Sequence, residues 1–178
     1  MDSHDPLLLE RAARIELLAL DVDGVLTDGR LYFDNAGNEW KAFHTGDGLG
    51  LKALQGAGVQ VALITGRSSR IVADRAASLG IEHVYQGRDD KLSAYLDLLE
   101  RTGLEDERVA YAGDDWIDLP LLRRTGLAVT VPAAGPAVRA ACHWITTREG
   151  GAGAVRELCE LLLEARGELD AQLRRFAP

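Results

Sequence analysis

The chain has 178 residues, 47% hydrophobic and 27% charged, enough for one compact domain with a sizeable core. Its net charge of -8, from 20 basic and 28 acidic side chains, makes nucleic acid and anionic membrane poor default partners, so an anionic small substrate needs a local positive pocket or a metal. No run approaches the ~20 apolar residues of a membrane span, and the opening MDSHDPLLLERAAR lacks the basic start and long apolar core of a secretory signal.

In chain order, the first predicted element is a strand. IELLALDV (Ile15 to Val22) is a continuous apolar run ending in acid, as in a strand buried on both faces. LYFDNAGNEWKAFHT (Leu31 to Thr45) follows and reads as a β-hairpin, because Asp34 to Asn38 carries the turn residues that tolerate positive φ. This hairpin, about 29–45, is expected to cover the active site as a flap; later connections are too short for a large cap domain. A helix over Gly48 to Gln55 leads to a strand over Val59 to Thr65. The next helix, Ser68 to Leu79, has Ser68 or Ser69 as N-cap and Gly80 as its stop. A strand over Glu82 to Gln86, a helix over Asp90 to Arg101 stopped at Gly103, and a strand over Glu107 to Gly113 continue the alternation. A short helix, Asp115 to Arg124, ends at Gly126 before a strand over Leu127 to Val131. The last and longest helix is expected over Gly153 to Arg166. Alternating strand and helix implies an α/β fold: a Rossmann-like parallel sheet with helices on both faces, in one domain spanning 1–178.

Ligands of such sheets sit beyond the carboxyl ends of the strands. Asp21 and Asp23 of DVDGVLTDG, Thr65-Gly66-Arg67, and Asp114-Asp115 of GDDWIDLP all fall there. Two carboxylates at one strand end are costly unless a cation or hydrogen-bond donors offset their repulsion. Mg²⁺ takes oxygen ligands and meets that need. Asp114, Asp115 and Asp118 form a second acidic group; taken alone, Asp115 and Asp118 would serve equally as helix cap and dipole partner. Thr65 adds a hydroxyl, and Lys91 a cation at a helix start, which together suit a phosphoryl group whose transition state spreads charge over its equatorial oxygens.

These four motifs, in this order, resemble the haloacid dehalogenase superfamily: DVDGVLTDG, Thr65, Lys91 and GDDWID. The resemblance implies that Asp21 attacks phosphorus to form an aspartyl-phosphate, and that Asp23 protonates the leaving group and then activates water. It implies Mg²⁺ held by the Asp21 carboxylate, the Asp23 main-chain carbonyl and Asp114, with Asp118 and Asp115 orienting that shell. Thr65 and Lys91 would bind the phosphoryl oxygens. Outside these motifs, KAFHTGDGLGLK, ITGRSSRIVADRAASLGI, YQGRDDKL and the tail REGGAGAVRELCELLLEARGELD look like 3-deoxy-D-manno-octulosonate 8-phosphate (KDO 8-phosphate) phosphatases. That family implies a sugar-acid phosphate substrate, a homotetramer in which hairpins build a central barrel, and a neighbour that helps close each site. It implies substrate contacts from Asp23, His44, Thr45, Gly46, Asp47, Gly48, Lys52, Thr65, Gly66, Arg67, Arg75 and Lys91. Gly46 stands where an Arg is common, and Lys52 where Arg is also found. Amides of the loop His44 to Gly48 would independently make an anion site where a helix opens.

The remaining residues are expected to be structural or peripheral. Cys142 and Cys159 have no metal or disulfide-framework spacing and read as thiols in a reducing cytoplasm. His83 and His143 read as structural. The run Gly150 to Gly153 could be a plain loop, although the family resemblance implies a C-terminal segment that can reach a neighbouring active site; Arg174 and Arg175 would suit an anion there, but a disordered basic tail is the favoured expectation. Three rival readings remain: a phosphatase for a nine-carbon sugar-acid 9-phosphate, a non-catalytic oligomerisation module, and a phospho-accepting receiver. Asp21, Asp23, Lys91 and Asp114 are all present, against the module, and no suitable aspartate ends the strand Val59 to Thr65, against the receiver.

Overall fold

The computed structural model describes residues 5–175. The chain runs through α1 (Pro6–Ala13), β1 (Leu17–Leu20), β2 (Tyr32–Phe33), β3 (Glu39–Trp40), α2 (Thr45–Gly56), β4 (Gln60–Ile64), α3 (Arg70–Leu79), β5 (His83–Tyr85) and α4 (Lys91–Thr102). It continues through β6 (Val109–Ala112), α5 (Leu119–Leu122), β7 (Leu127–Thr130), α6 (Pro136–Arg139), β8 (Trp144–Ile145), α7 (Ala154–Ala165) and α8 (Leu169–Arg174). The six-stranded sheet has the order β5-β4-β1-β6-β7-β8, and every pair in it is parallel. β2 and β3 form a separate antiparallel pair.

The sheet is covered on both faces, which is why β1 reads as an unbroken apolar run. Successive side chains point to opposite faces, yet Leu17, Leu18, Ala19 and Leu20 are all fully buried. Leu18 and Leu20 join a core with α1, α2, α3 and α7, while Leu17 and Ala19 join one with α4, α5 and α6. β1 lies between β4 and β6, and the sheet grows outward from it in both directions. The crevice that such a switch point creates receives Asp21 after β1, Thr65 after β4 and Asp114 after β6.

Several elements differ from the sequence expectation. α1 is a short amphipathic helix set by Asp5, whose carboxylate accepts the Leu7 N–H at 3.0 Å. α2 begins at Thr45, three residues before the expected Gly48. The expected helix from Asp115 opens instead as a 3₁₀ turn, Trp116–Asp118, and only Leu119–Leu122 is α-helical. α7 is neither last nor longest: it matches α2 and α4 at 12 residues, and α8 follows it. Arg174 therefore ends a helix rather than belonging to a disordered tail, and Arg175 Nη1 donates to Gln172 at 2.9 Å. α6 and β8 are too short for a periodic signal.

The glycine run before α7 is also more than a connector. Gly150 packs so closely on the first loop that a Cβ there would lie 1.8 Å from the Gly24 carbonyl oxygen. Next to it, Gly151 N–H donates to the Val25 carbonyl at 3.0 Å. The hairpin is held by its turn: the Asp34 carboxylate accepts the amides of Ala36 and Asn38 at 2.9 and 2.8 Å. Among the described residues, no helix is long and apolar enough to cross a membrane.

Candidate active site

A cleft of about 280 Å³ opens at the carboxyl ends of β1, β4 and β6. It is lined by Asp21, Asp23, Thr65, Gly66, Arg67, Asp114 and Asp115, with Gly29, Leu31 and Ile117 completing the wall. Beneath it lies Lys91, the first residue of α4 and only 1% exposed. Its ammonium donates to Asp21 Oδ1 at 2.7 Å and to Asp118 Oδ1 at 2.6 Å.

Asp118 is saturated by this arrangement. Its Oδ1 also accepts the Tyr111 hydroxyl at 2.6 Å, and its Oδ2 accepts the amides of Asp114 and Asp115 at 3.0 and 3.1 Å. It thus fixes the loop that carries Asp114. The Asp114 carboxylate lies against Gly24, whose φ of 102° only glycine adopts readily; a Cβ there would sit 2.0 Å from Asp114 Oδ2.

Carboxylate oxygens of Asp21, Asp114 and Asp118 all lie within 4.8 Å of one another. Three carboxylates and one ammonium leave a surplus of negative charge, which a divalent cation would match. Burial pushes Asp21 up to about 7, against the pull of Lys91. Burial, with Asp118 and Asp115 nearby, pushes Asp114 up to about 6. Burial also opposes the charge on Lys91, but Asp21 and Asp118 outweigh it and hold its pKa above the ordinary value. With both oxygens of Asp118 engaged by Lys91, Tyr111 and two amides, Asp21 and Asp114 are the side chains best placed to ligate a cation. Asp118 stands behind them, and Asp115 accepts the Trp116 amide at 2.7 Å.

The other residues singled out from sequence divide in two. Thr65, 2% exposed, lines the cleft and accepts the Arg67 amide at 3.3 Å through its hydroxyl. His44, Thr45, Gly46, Asp47, Gly48, Lys52 and Arg75 do not line this cleft. Arg75 lies over the Phe43 ring at 5.6 Å, and Lys52 is exposed. Asp47 is turned inward, 1% exposed, and accepts the Arg156 amide at 2.8 Å, so its carboxylate caps the start of α7, where Gly153 has no side chain to do so. His44 Nδ1 stands 3.8 Å from Asp47. His143 accepts the Ala128 amide at 2.9 Å, and His83 lies 3.3 Å from Gln60, so both make structural contacts away from the acidic cluster. Sequence reasoning missed Lys41, whose ammonium reaches the Asp23 carboxylate, and Tyr111. Lys41 follows a two-residue strand, where alternation says little, and Tyr111 sits inside the fully buried strand β6, where its hydroxyl gives no separate pattern.

Residues 81–158 match the model of the haloacid dehalogenase-like hydrolases. The 3-deoxy-D-manno-octulosonate 8-phosphate phosphatase of Salmonella typhimurium is 48% identical over 165 residues, 93% of this chain and 88% of that protein. The chain belongs to the KDO 8-phosphate phosphatase family. Solved structures of KDO 8-phosphate phosphatases agree. The enzyme from Moraxella catarrhalis, in complex with magnesium, phosphate and KDO, is 46% identical with a TM-score of 0.95, covering 97% of this chain and 99% of that one. The cobalt-bound enzyme from Haemophilus influenzae is 38% identical with a TM-score of 0.90, covering 94% and 99%.

The raised carboxylates give a signed expectation for the metal-free protein. Asp21 binds its proton more tightly when folded, at about 7, than an ordinary aspartate at 3.8. The folded state therefore holds more protons between those values, and stability falls as pH rises through that window. In chelator, the melting temperature should drop from about pH 5 to about pH 8, and added Mg²⁺ should raise it more at the higher pH. A melting temperature that rises over this range in chelator would contradict the buried-carboxylate account.

Proposed function

We propose that the chain is a Mg²⁺-dependent phosphatase that hydrolyses KDO 8-phosphate to KDO and inorganic phosphate through an aspartyl-phosphate on Asp21. The observation that carries this reading is the convergence of Asp21, Asp23, Thr65 and Asp114 over the buried Lys91, in a chain so similar to phosphatases of that substrate.

Asp21 attacks phosphorus as the bond to the C8 oxygen breaks. Asp23, two residues on, gives its proton to that oxygen. It then takes a proton from the water that attacks the aspartyl-phosphate, so both carboxylates return to their starting state. Thr65 and Lys91 meet the phosphoryl oxygens, Lys91 from beside the nucleophile it already touches. The Asp21 carboxylate, the Asp23 main-chain carbonyl and Asp114 would hold Mg²⁺, which supplies positive charge beside the transferring group. Asp118 and Asp115 hold the Asp114 loop in place.

The working form we propose is a homotetramer of this one domain, in the cytoplasm. The flap supports it: Leu31, Phe33 and Trp40 are 47%, 59% and 63% exposed, large apolar side chains that a neighbour would cover. Arg67 then contacts the sugar acid from its own chain. Lys52 and Arg75, with His44, Thr45, Gly46 and Gly48, lie off that cleft and suit the site of a neighbour. The free thiols Cys142 and Cys159 suit a reducing compartment.

Two experiments test this. Purified protein with Mg²⁺ should release phosphate from KDO 8-phosphate in preference to a nine-carbon sugar-acid 9-phosphate, and Asp21→Asn should abolish release while the protein stays folded. Faster turnover of the nine-carbon ester defeats the substrate assignment, and full activity of Asp21→Asn removes the nucleophile. Separately, Phe33→Asp with Trp40→Asp should lower the mass found by light scattering from tetramer to a smaller species; an unchanged tetramer places the interface elsewhere.

A further inference from the structure

Lys41 lies immediately after β3, on an otherwise exposed flap, yet its side chain is 1% exposed. Burying a lysine forfeits hydration and several freely rotating bonds, so a compensating partner must hold it. That partner is the Asp23 carboxylate, whose Oδ1 accepts from the Lys41 ammonium. Glu39, on β3 itself, stands 3.5 Å from the same ammonium. Glu39 also accepts from Arg67 Nη2 at 3.2 Å, and Arg67 Nε lies 3.9 Å from Asp23 Oδ2.

The four groups come from three separate segments: the loop after β1, the flap and the loop after β4. The Asp23 carboxylate takes its close hydrogen bond from Lys41, while Arg67 stands farther off. The loop after β1 therefore places the backbone of Asp23 but leaves its carboxylate to be oriented from the flap. This differs from Asp21 and Asp118, which are fixed by Lys91 from below.

We propose that Lys41, braced by Glu39, is a positioning residue for the hydrolysis: it holds the Asp23 carboxylate where it exchanges a proton first with the leaving oxygen and then with water. The proposal rests on the assignment of Asp23 as the acid and base. It gives the flap a task within its own chain, separate from any contact with a neighbour. Lys41 acts through Asp23 and not on the substrate, so its loss should fall on the steps that move a proton and spare binding.

Leaving-group chemistry separates this from a general structural role. An alkyl phosphate such as KDO 8-phosphate needs a proton on its departing oxygen, whereas p-nitrophenolate leaves without one. In quenched single turnovers, Lys41→Met should slow transfer from the alkyl phosphate by about tenfold or more, yet keep transfer from p-nitrophenyl phosphate within about twofold of wild type. KM for the alkyl ester should stay close to wild type. Steady-state turnover of p-nitrophenyl phosphate should still fall, because breakdown of the aspartyl-phosphate needs Asp23 to activate water, and the phosphorylated enzyme should accumulate. An equal loss with both esters, or no loss with the alkyl ester, overturns the proposal. Asp23→Asn run alongside must show the same leaving-group pattern. If it does not, the assignment of Asp23 falls and the role of Lys41 with it; if it does and Lys41→Met does not, Lys41 alone falls. Should Lys41→Met melt early, Glu39→Gln removes the brace but keeps the ammonium, and an unselective effect there overturns the proposal equally.

Discussion

The structure depends on one buried ammonium shared between two aspartates. Lys91, at the start of α4, joins Asp21, which follows β1, to Asp118, in the turn after β6. Removing either partner would strand a charge away from water, a loss of about 3–5 kcal/mol for a buried pair. The bridge does not neutralise the cluster, since the Asp114 carboxylate adds its charge close by. Folding therefore assembles a deficit of positive charge at one point, which makes the place fit for a divalent cation; without that cation the same charge would repel an anionic ester.

The loops around that point are built to tolerate close approach. Asp118 spends both oxygens on Lys91, Tyr111 and two amides, which leaves Asp114 directed toward Asp21. Gly24 lets Asp114 come near because it has no side chain. The flap contributes from the opposite side, through Lys41 and Glu39, so floor and roof each supply a lysine to one aspartate of the first motif.

Much of this is legible in the sequence, for physical reasons. β1, β4, β6 and β7 are buried on both faces over most of their length and so read as continuous apolar runs. Asp21, Thr65 and Asp114 stand out because they fall at the ends of those runs, and Lys91 because it opens a helix. What escapes depends on contacts distant in the chain. Asp47 reads as part of an anion-binding loop, but its carboxylate is spent on an amide 109 positions later, at the start of α7. Lys41 carries no signal of its own, because only the fold brings it to Asp23. α6, β8 and α8 are each shorter than two helical turns or two strand pleats, too short for periodicity to declare them.

The turn at Gly150 and Gly151 presses on the backbone of Gly24 and Thr27. The loop that carries Asp21 and Asp23 is thus buttressed by residues far along the chain. A chain without this turn would carry Asp21 and Asp23 but lack the backbone packing that shapes the loop between them and Thr27.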